Sequence, residues 1–274
     1  WIKSGFVFVG LLFGHAWDDL DLTLHVTATA VGFSLVASAV YALNDFLDRE
    51  RDQAHPTKRT RPLAAGRVSP AAALWLAGLL APAGLLVGLW GSPTNFLLIL
   101  LYATLNLAYS LRLKQVVILD VFVIAAGFML RLLAGTVGVG IAPSKWLLLC
   151  GLMVTLFLGF TKPRAEHTPG SAHSSRAVLD FYSVALLDKL LSVTAAGTII
   201  SYSLYTMSPE TIAKHGTENL IYTVPFVIYG VFRFMYLVHD DNRGEDTTHD
   251  VFNDPHVLTV VLVWIALTWF LVAV

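Results

Sequence analysis

Between Asn44 and Arg61 the chain reads NDFLDRERDQAHPTKRTR, and its opening residues Asn44, Asp45, Asp48 and Asp52 form an N-D-x-x-D-x-x-x-D pattern at the end of a long apolar run. On a helix of 3.6 residues per turn, Asn44, Asp48 and Asp52 fall within about 80° of one another, with Asp45 at their border. One helix face becomes a wall of oxygen atoms. Three carboxylates this close together beside lipid repel one another and are costly to desolvate unless a cation neutralises them. A small set of oxygen donors that leaves coordination positions open suits Mg²⁺ shared with the phosphates of a substrate. Asp45, Asp48 and Asp52 are therefore candidate catalytic residues and metal ligands, and Asn44 a candidate ligand or orienting group. Directly downstream, His55, Lys58, Arg59, Arg61 and Arg67 make a basic cluster suited to phosphate oxygens. An acidic wall followed by a basic loop reads as a site for a magnesium diphosphate. A solvated loop between two apolar segments is the plain alternative, but the acids begin inside the helical period and share a face.

The elements that must carry this stretch are apolar. Hydrophobic residues make up 56% of the chain and charged residues 14%, and the mean hydropathy is +0.67. These values describe an integral membrane protein. The net charge of −1 hides a segregation of Lys and Arg into a few short loops, a pattern that bears on membrane orientation and not on nucleic acid. The single cysteine, Cys150, lies in an apolar run, which excludes an intrachain disulfide and suggests packing. The opening WIKSGFVFVGLLFG lacks the charged start and small-residue cleavage site of a signal peptide, so it is expected to be a first membrane helix whose lead-in is missing.

Apolar segments at about 3–16, 23–45, 71–90, 94–112, 117–138, 144–161, 184–207, 219–238 and 256–273 predict nine transmembrane helices in a single domain over 1–274. Every backbone polar group in hydrocarbon must be satisfied within its own segment, and the runs are too long and uniformly apolar for barrel strands. An all-α membrane bundle follows. The loops after the even-numbered helices hold most of the basic residues, which predicts that they and the N-terminus face the cytoplasm. Asp18, Asp19 and Asp21 read as a solvated acidic turn on the other side. Ser69-Pro70 and Ser92-Pro93 are helix-entry signals.

Other polar residues fall at the predicted cytoplasmic ends. Arg112 and Lys114 are either interfacial anchors or a second set of phosphate contacts facing the first. On the fifth helix Asp120 lies near the cytoplasmic mouth, while Arg131 is about 16 Å deeper and cannot pair with it. Arg131 fits a buried ion pair or a substrate contact, because a lipid-facing arginine at that depth is costly. Lys162, Arg164 and Glu166 lie where the sixth helix leaves the bilayer, and Tyr182, Asp188 and Lys189 where the seventh enters. As a set they look like the other half of a site. The run YTVPFVIYGVFRFMYLVH, with Arg233 and His239, reads as an aromatic belt, and HDDNRGEDTTHDVFNDPH as a solvated loop without zinc or EF-hand spacing. Phosphate-loop, dinucleotide-turn and nucleophile-elbow motifs are absent.

The N-D-x-x-D-x-x-x-D run, its basic segment and Arg61-Pro62-Leu63-Ala64-Ala65-Gly66 resemble the first signature of the UbiA superfamily of intramembrane prenyltransferases. That resemblance implies a nine-helix bundle with a site open to the cytoplasm. Most of the superfamily has a second acidic motif between helices six and seven, where this chain reads TKPRAE. HPTKRTRP, SKWLLL, the K-x-R-A-E helix ending, the Y-x-x-x-x-L-D opening and VPFVIYGVFRFMYLVH together resemble the polyprenyl-phosphate phosphoribosyltransferase branch, whose actinobacterial members act on decaprenyl phosphate.

The branch resemblance implies Mg²⁺-dependent transfer of 5-phosphoribose from phosphoribosyl diphosphate (PRPP) to a polyprenyl phosphate, in the cytoplasmic membrane of a bacterium. It implies substrate contacts from Lys3, Asn44, His55, Lys58, Arg59, Arg61, Arg112, Lys114, Asp120, Lys162, Arg164, Glu166, Tyr182 and Asp188, with Lys3 at the cytoplasmic start of helix one. It also allows a homotrimer. Two alternatives stand beside it: prenyl transfer from a prenyl diphosphate to an aromatic acceptor, and non-catalytic binding or transport of a phosphorylated lipid or an ion.

Overall fold

In a computed structural model the protein is described over residues 2–14, 18–55, 58–166, 181–240 and 253–273, and these residues contain helices and turns but no strand. Among them, eight helices are long and apolar enough to cross a membrane. Eight of the nine predicted spans are thus full-length. The first is short, a 3-10 stretch Ile2–Phe8 running into helix α1 (Val9–Gly14). The chain divides into two compact units, one covering Trp1–Pro143 and the other beginning at Ser144.

The first unit is built on α2 (Leu20–Leu47), which packs along α4 (Pro70–Gly91) and α5 (Pro93–Leu111), with α6 (Leu119–Ala134) beside α5 and the N-terminal segment. Asp19 caps α2 by accepting from the Leu22 N–H at 3.0 Å, which gives one residue of the acidic turn a structural job. Ser69 and Ser92 cap α4 and α5 in the same way, each followed by proline, as their sequence signals predict. Between α2 and α4 the backbones touch. A side chain at Gly32 would lie 2.8 Å from the Gly84 carbonyl oxygen, so only glycine allows this approach. The core joins Val7, Phe33, Val36, Ile99, Tyr102 and Leu130. At the end of α6 the Val7 carbonyl occupies the place that a Gly135 side chain would need.

Arg131 is buried in this core, yet no carboxylate lies within salt-bridge distance of it among the described residues, so the expected ion pair is not formed. Its guanidinium instead donates to the Gly127 carbonyl at 2.8 Å and the Tyr102 hydroxyl at 3.0 Å. Tyr102, Phe33 and Phe128 surround it, with centroids 4.4, 5.3 and 5.9 Å away. Aromatic faces stabilise a desolvated cation by about 0.5–2 kcal/mol each, which lets the charge sit in the core without an acid.

In the second unit α7 (Lys145–Glu166) packs along α8 (Val184–Met207), and α10 (Val224–Asp240) lies against both and against α11 (Pro255–Ala273). A short α9 (Pro209–His215) follows α8. Hydroxyls within α7 and α8, such as Thr155, Thr194 and Thr198, bond back to carbonyls of the preceding turn and remain satisfied away from water. Tyr202 on α8 bonds Thr223 at 2.6 Å and accepts from the Trp264 indole on α11 at 2.8 Å. Cys150 lines an apolar cavity of about 300 Å³ with Phe157, Tyr202, Phe234 and Trp264, the packing environment expected for it.

The predicted solvated loop after α10 needs one correction. Asp254 is buried, accepts from Arg233 at 2.7 and 3.3 Å, and caps α11 through the Val257 N–H at 2.9 Å. Residues 241–252 of that loop lie outside the described residues. The Arg233 hydrogen bonds hold the Asp254 carboxyl down at about 2.

Two stability measurements follow. Gly135→Ala forces a methyl group against backbone and is expected to destabilise the protein by about 1–3 kcal/mol, seen as a lower unfolding midpoint in detergent; an unchanged midpoint would contradict the close approach. Because the Asp254 pKa is depressed, its contribution is present above the ordinary carboxylate range and disappears as pH falls through about 2. Asp254→Asn should therefore lower the midpoint at pH near 7, and its gap from the unaltered protein should close between about pH 4 and 2. A gap independent of pH would refute the ion pair.

Candidate functional site

The acidic stretch does not continue as one helix. Helix α2 ends at Leu47, Asp48 has φ −93° and ψ 3°, and a short α3 (Arg49–Ala54) carries Asp52. The break changes the predicted wall. Asp45 and Asp52 now converge on a single nitrogen, Arg61 Nη1, at 2.9 Å each, whereas Asp48 turns to Lys114, whose Nζ lies 2.8 Å from both of its oxygens. Asp52 is the buried member of the set.

Loop geometry delivers the two cations. After α3, the His55 ring accepts from the Lys58 N–H at 3.3 Å, and Lys58–Thr60 form a 3-10 turn that leads to Arg61. Arg67 reaches back to the Thr60 carbonyl and braces the same loop. Lys114 sits in the Leu113–Gln115 turn between α5 and α6. That connection ends at Ile118 with φ +70°, a conformation that costs a β-branched residue about 1–3 kcal/mol.

The expected electrostatics need correcting. A metal is not required to neutralise every carboxylate, because the chain's own Arg61 and Lys114 already pair with all three. Nor do three acids gather at one point, since the described residues hold no cluster of three or more His, Cys, Asp or Glu groups suited to a metal. Even so, three carboxylates against two cations leave one net negative charge. Asp45 and Asp52 are also drawn to one positive centre, Arg61 Nη1, so the donors fit a hard divalent cation in chemistry and convergence.

The remaining sequence candidates distribute unevenly. Asn44 sits in the last turn of α2 and Asp120 is fully buried in the first turn of α6. Arg59 and Arg112 are exposed, and neither pairs with the acidic set among the described residues. Lys58 remains in the basic turn. Lys3 lies in the N-terminal 3-10 segment. Its ammonium lies over the Phe128 ring at 5.8 Å, about 12 Å along α6 from Asp120. The adjoining Ser4 bonds Ser34, about 15 Å along α2 from Asn44.

In the second unit α7 runs through Pro163 to Glu166, so Lys162, Arg164 and Glu166 occupy its last turns, as the K-x-R-A-E helix ending predicts. Arg164 Nε donates to Asp188 Oδ1 at 2.6 Å, and His239 Nε2 stands 3.1 Å from the same oxygen. Tyr182 is buried just before α8, and Lys162 and Lys189 are exposed. His239 was absent from the sequence-derived set. Its only sequence signal is a place at the polar end of an aromatic helix.

A model described as the UbiA prenyltransferase family matches residues 4–253. The chain is 31% identical over 258 residues to a decaprenyl-phosphate phosphoribosyltransferase of Mycolicibacterium smegmatis, covering 89% of this chain and 81% of that one. It is also 31% identical over 274 residues to the protein of that name from Mycobacterium tuberculosis, covering 97% and 89%. Among solved structures, a UbiA homolog from Archaeoglobus fulgidus bound to GPP and Mg²⁺ superposes with a TM-score of 0.73 at 15% identity, over 99% of this chain and 96% of that one. With the family matched across nearly all of its length and the fold shared, this chain belongs to the UbiA prenyltransferase family of integral membrane enzymes.

Proposed function

We propose that the protein transfers 5-phosphoribose from PRPP to a polyprenyl phosphate, releasing diphosphate, at the cytoplasmic face of a bacterial inner membrane. The observation that carries this over prenyl transfer is the basic end of α7. Lys162 and Arg164 stand where the usual superfamily member is acidic, and an acceptor that is itself an anion needs cations there. The names of the 31%-identical mycobacterial relatives support the same choice.

Each part of the chemistry has a residue suited to it. Asp45, Asp48 and Asp52, with Asn44 beside them, would hold Mg²⁺, which when bound neutralises the departing diphosphate. Arg61 and Lys114 already stand beside these carboxylates and offer N–H donors to diphosphate oxygens. As the ribose C1–O bond to diphosphate breaks, C1 gains oxocarbenium character that a nearby carboxylate stabilises. An oxygen of the acceptor phosphate forms the new bond to C1 and needs no strong general base, being anionic already. Lys58 and Arg59 in the first unit, and separately Lys162 and Arg164 in the second, are cations suited to phosphate oxygens. The lipid tail stays in the bilayer, held by about 0.8 kcal/mol per buried CH₂. A homotrimer is compatible with this reading.

The deciding assay supplies detergent-purified protein with ribose-labelled PRPP, polyprenyl phosphate and Mg²⁺, and counts label in the lipid phase. Label in lipid is the expected result; none, together with turnover of a prenyl diphosphate and an aromatic acid, would replace this reading by prenyl transfer. In the same assay Asp48→Asn should lower kcat by roughly a hundredfold or more without changing elution on a sizing column. Near-normal turnover would remove Asp48 from the site.

A further inference from the structure

Three helices of the second unit converge on one carboxylate oxygen. Asp188 Oδ1, in the second turn of α8, receives Arg164 Nε from the end of α7 at 2.6 Å and faces His239 Nε2 from the end of α10 at 3.1 Å. The other ring nitrogen, His239 Nδ1, is 2.8 Å from the Met235 carbonyl oxygen. A neutral imidazole has one N–H and one lone pair, so either tautomer would point a lone pair at an acceptor oxygen. The ring therefore lies between the Asp188 carboxylate and a carbonyl of its own helix, and donates to one of them in either neutral tautomer. Arg164, for its part, enters the trio through Nε alone. Among the described residues, neither of its terminal nitrogens donates to a protein acceptor.

The consequence is a guanidinium fixed at its base, with its two-pronged end uncommitted among the described residues. The Arg164 charge is held beside the Asp188 carboxylate, and the outer edge of the guanidinium faces away from that contact. The other charged groups on these helix ends are Lys162 and Glu166 on α7, Lys189 on α8 and Asp240 on α10, while Arg233 on α10 is committed to Asp254. A planar fork of parallel N–H donors matches two oxygens of a phosphate, and its hold tightens when the fork cannot rotate.

We propose that Arg164 is the seat of a phosphate-monoester site on the second unit, and that Asp188 and His239 are positioning residues that fix its guanidinium. This deepens the phosphoribosyl-transfer reading, on which the choice of the lipid acceptor's phosphate as occupant rests. The ribose 5-phosphate group offers the same chemistry, and the test distinguishes the two sources.

Binding of farnesyl phosphate, ribose 5-phosphate and farnesol to the detergent-purified full chain is followed by calorimetry, without PRPP or metal. His239→Ala is expected to weaken one of the phosphate esters about tenfold and to leave farnesol unchanged. His239→Gln, which keeps an N–H toward Asp188, is expected to recover binding to within about threefold of the unaltered chain. Loss confined to farnesyl phosphate assigns the site to the lipid, and loss confined to ribose 5-phosphate assigns it to the sugar substrate. Unchanged binding of both esters in His239→Ala, or equal weakening of farnesol, would overturn the proposal. Because no transfer step is read, failure of the labelled transfer assay with this pattern intact would remove the reaction and leave the site standing.

Discussion

The first unit depends on how three acids at the end of a membrane-spanning helix are neutralised. Asp45 and Asp52 share Arg61, and Asp48 is held by Lys114. An unpaired buried carboxylate costs several kcal/mol, so α2 can end in this cluster only because two loops bring cations to it. One loop is local, the turn from α3 to Arg61. The other comes from the α5–α6 connection, whose geometry includes the left-handed Ile118. These ion pairs tie the ends of three helices together. They also set up the chemistry proposed for the site, since a guanidinium or ammonium that binds a carboxylate also binds phosphate oxygens.

The two units handle buried charge in different ways. Arg131 is compensated by ring faces, a carbonyl and a phenol, with no acid in reach among the described residues. Arg233 takes a full ion pair with Asp254 and thereby fixes the start of α11. Arg164 is held through one nitrogen, which leaves the rest of its donors to other partners. Arg233 is committed to an acid, while Arg131 keeps a buried Nε with no hydrogen-bond partner among the described residues. The third is the arrangement to which phosphate recognition is assigned in the proposal above.

Much of this was legible in the sequence. Apolar runs gave every long helix to within a few residues, because hydrocarbon forces each backbone to satisfy itself locally. Capping serines followed by proline marked the starts of α4 and α5, and the aspartate pattern marked the acids that pair with Arg61 and Lys114. What could not be read was partnership over distance. Lys114 and Asp48 are 66 residues apart, and nothing in the spacing joins them. The same holds for His239 and Asp188, which meet only because α8 and α10 pack together. The helix break at Asp48 was hidden because periodicity continues through it, although the chain turns there.

The central proposal is that this charge-compensated acidic set also receives a divalent metal with a diphosphate. Mn²⁺, a spectroscopic stand-in for Mg²⁺, can be titrated into the purified full chain and its bound fraction read by electron paramagnetic resonance, with and without PRPP. The expected result is saturable Mn²⁺ binding that strengthens with PRPP and is lost in Asp52→Asn. Mn²⁺ binding that survives Asp52→Asn unchanged, or no bound Mn²⁺ even with PRPP, would contradict it.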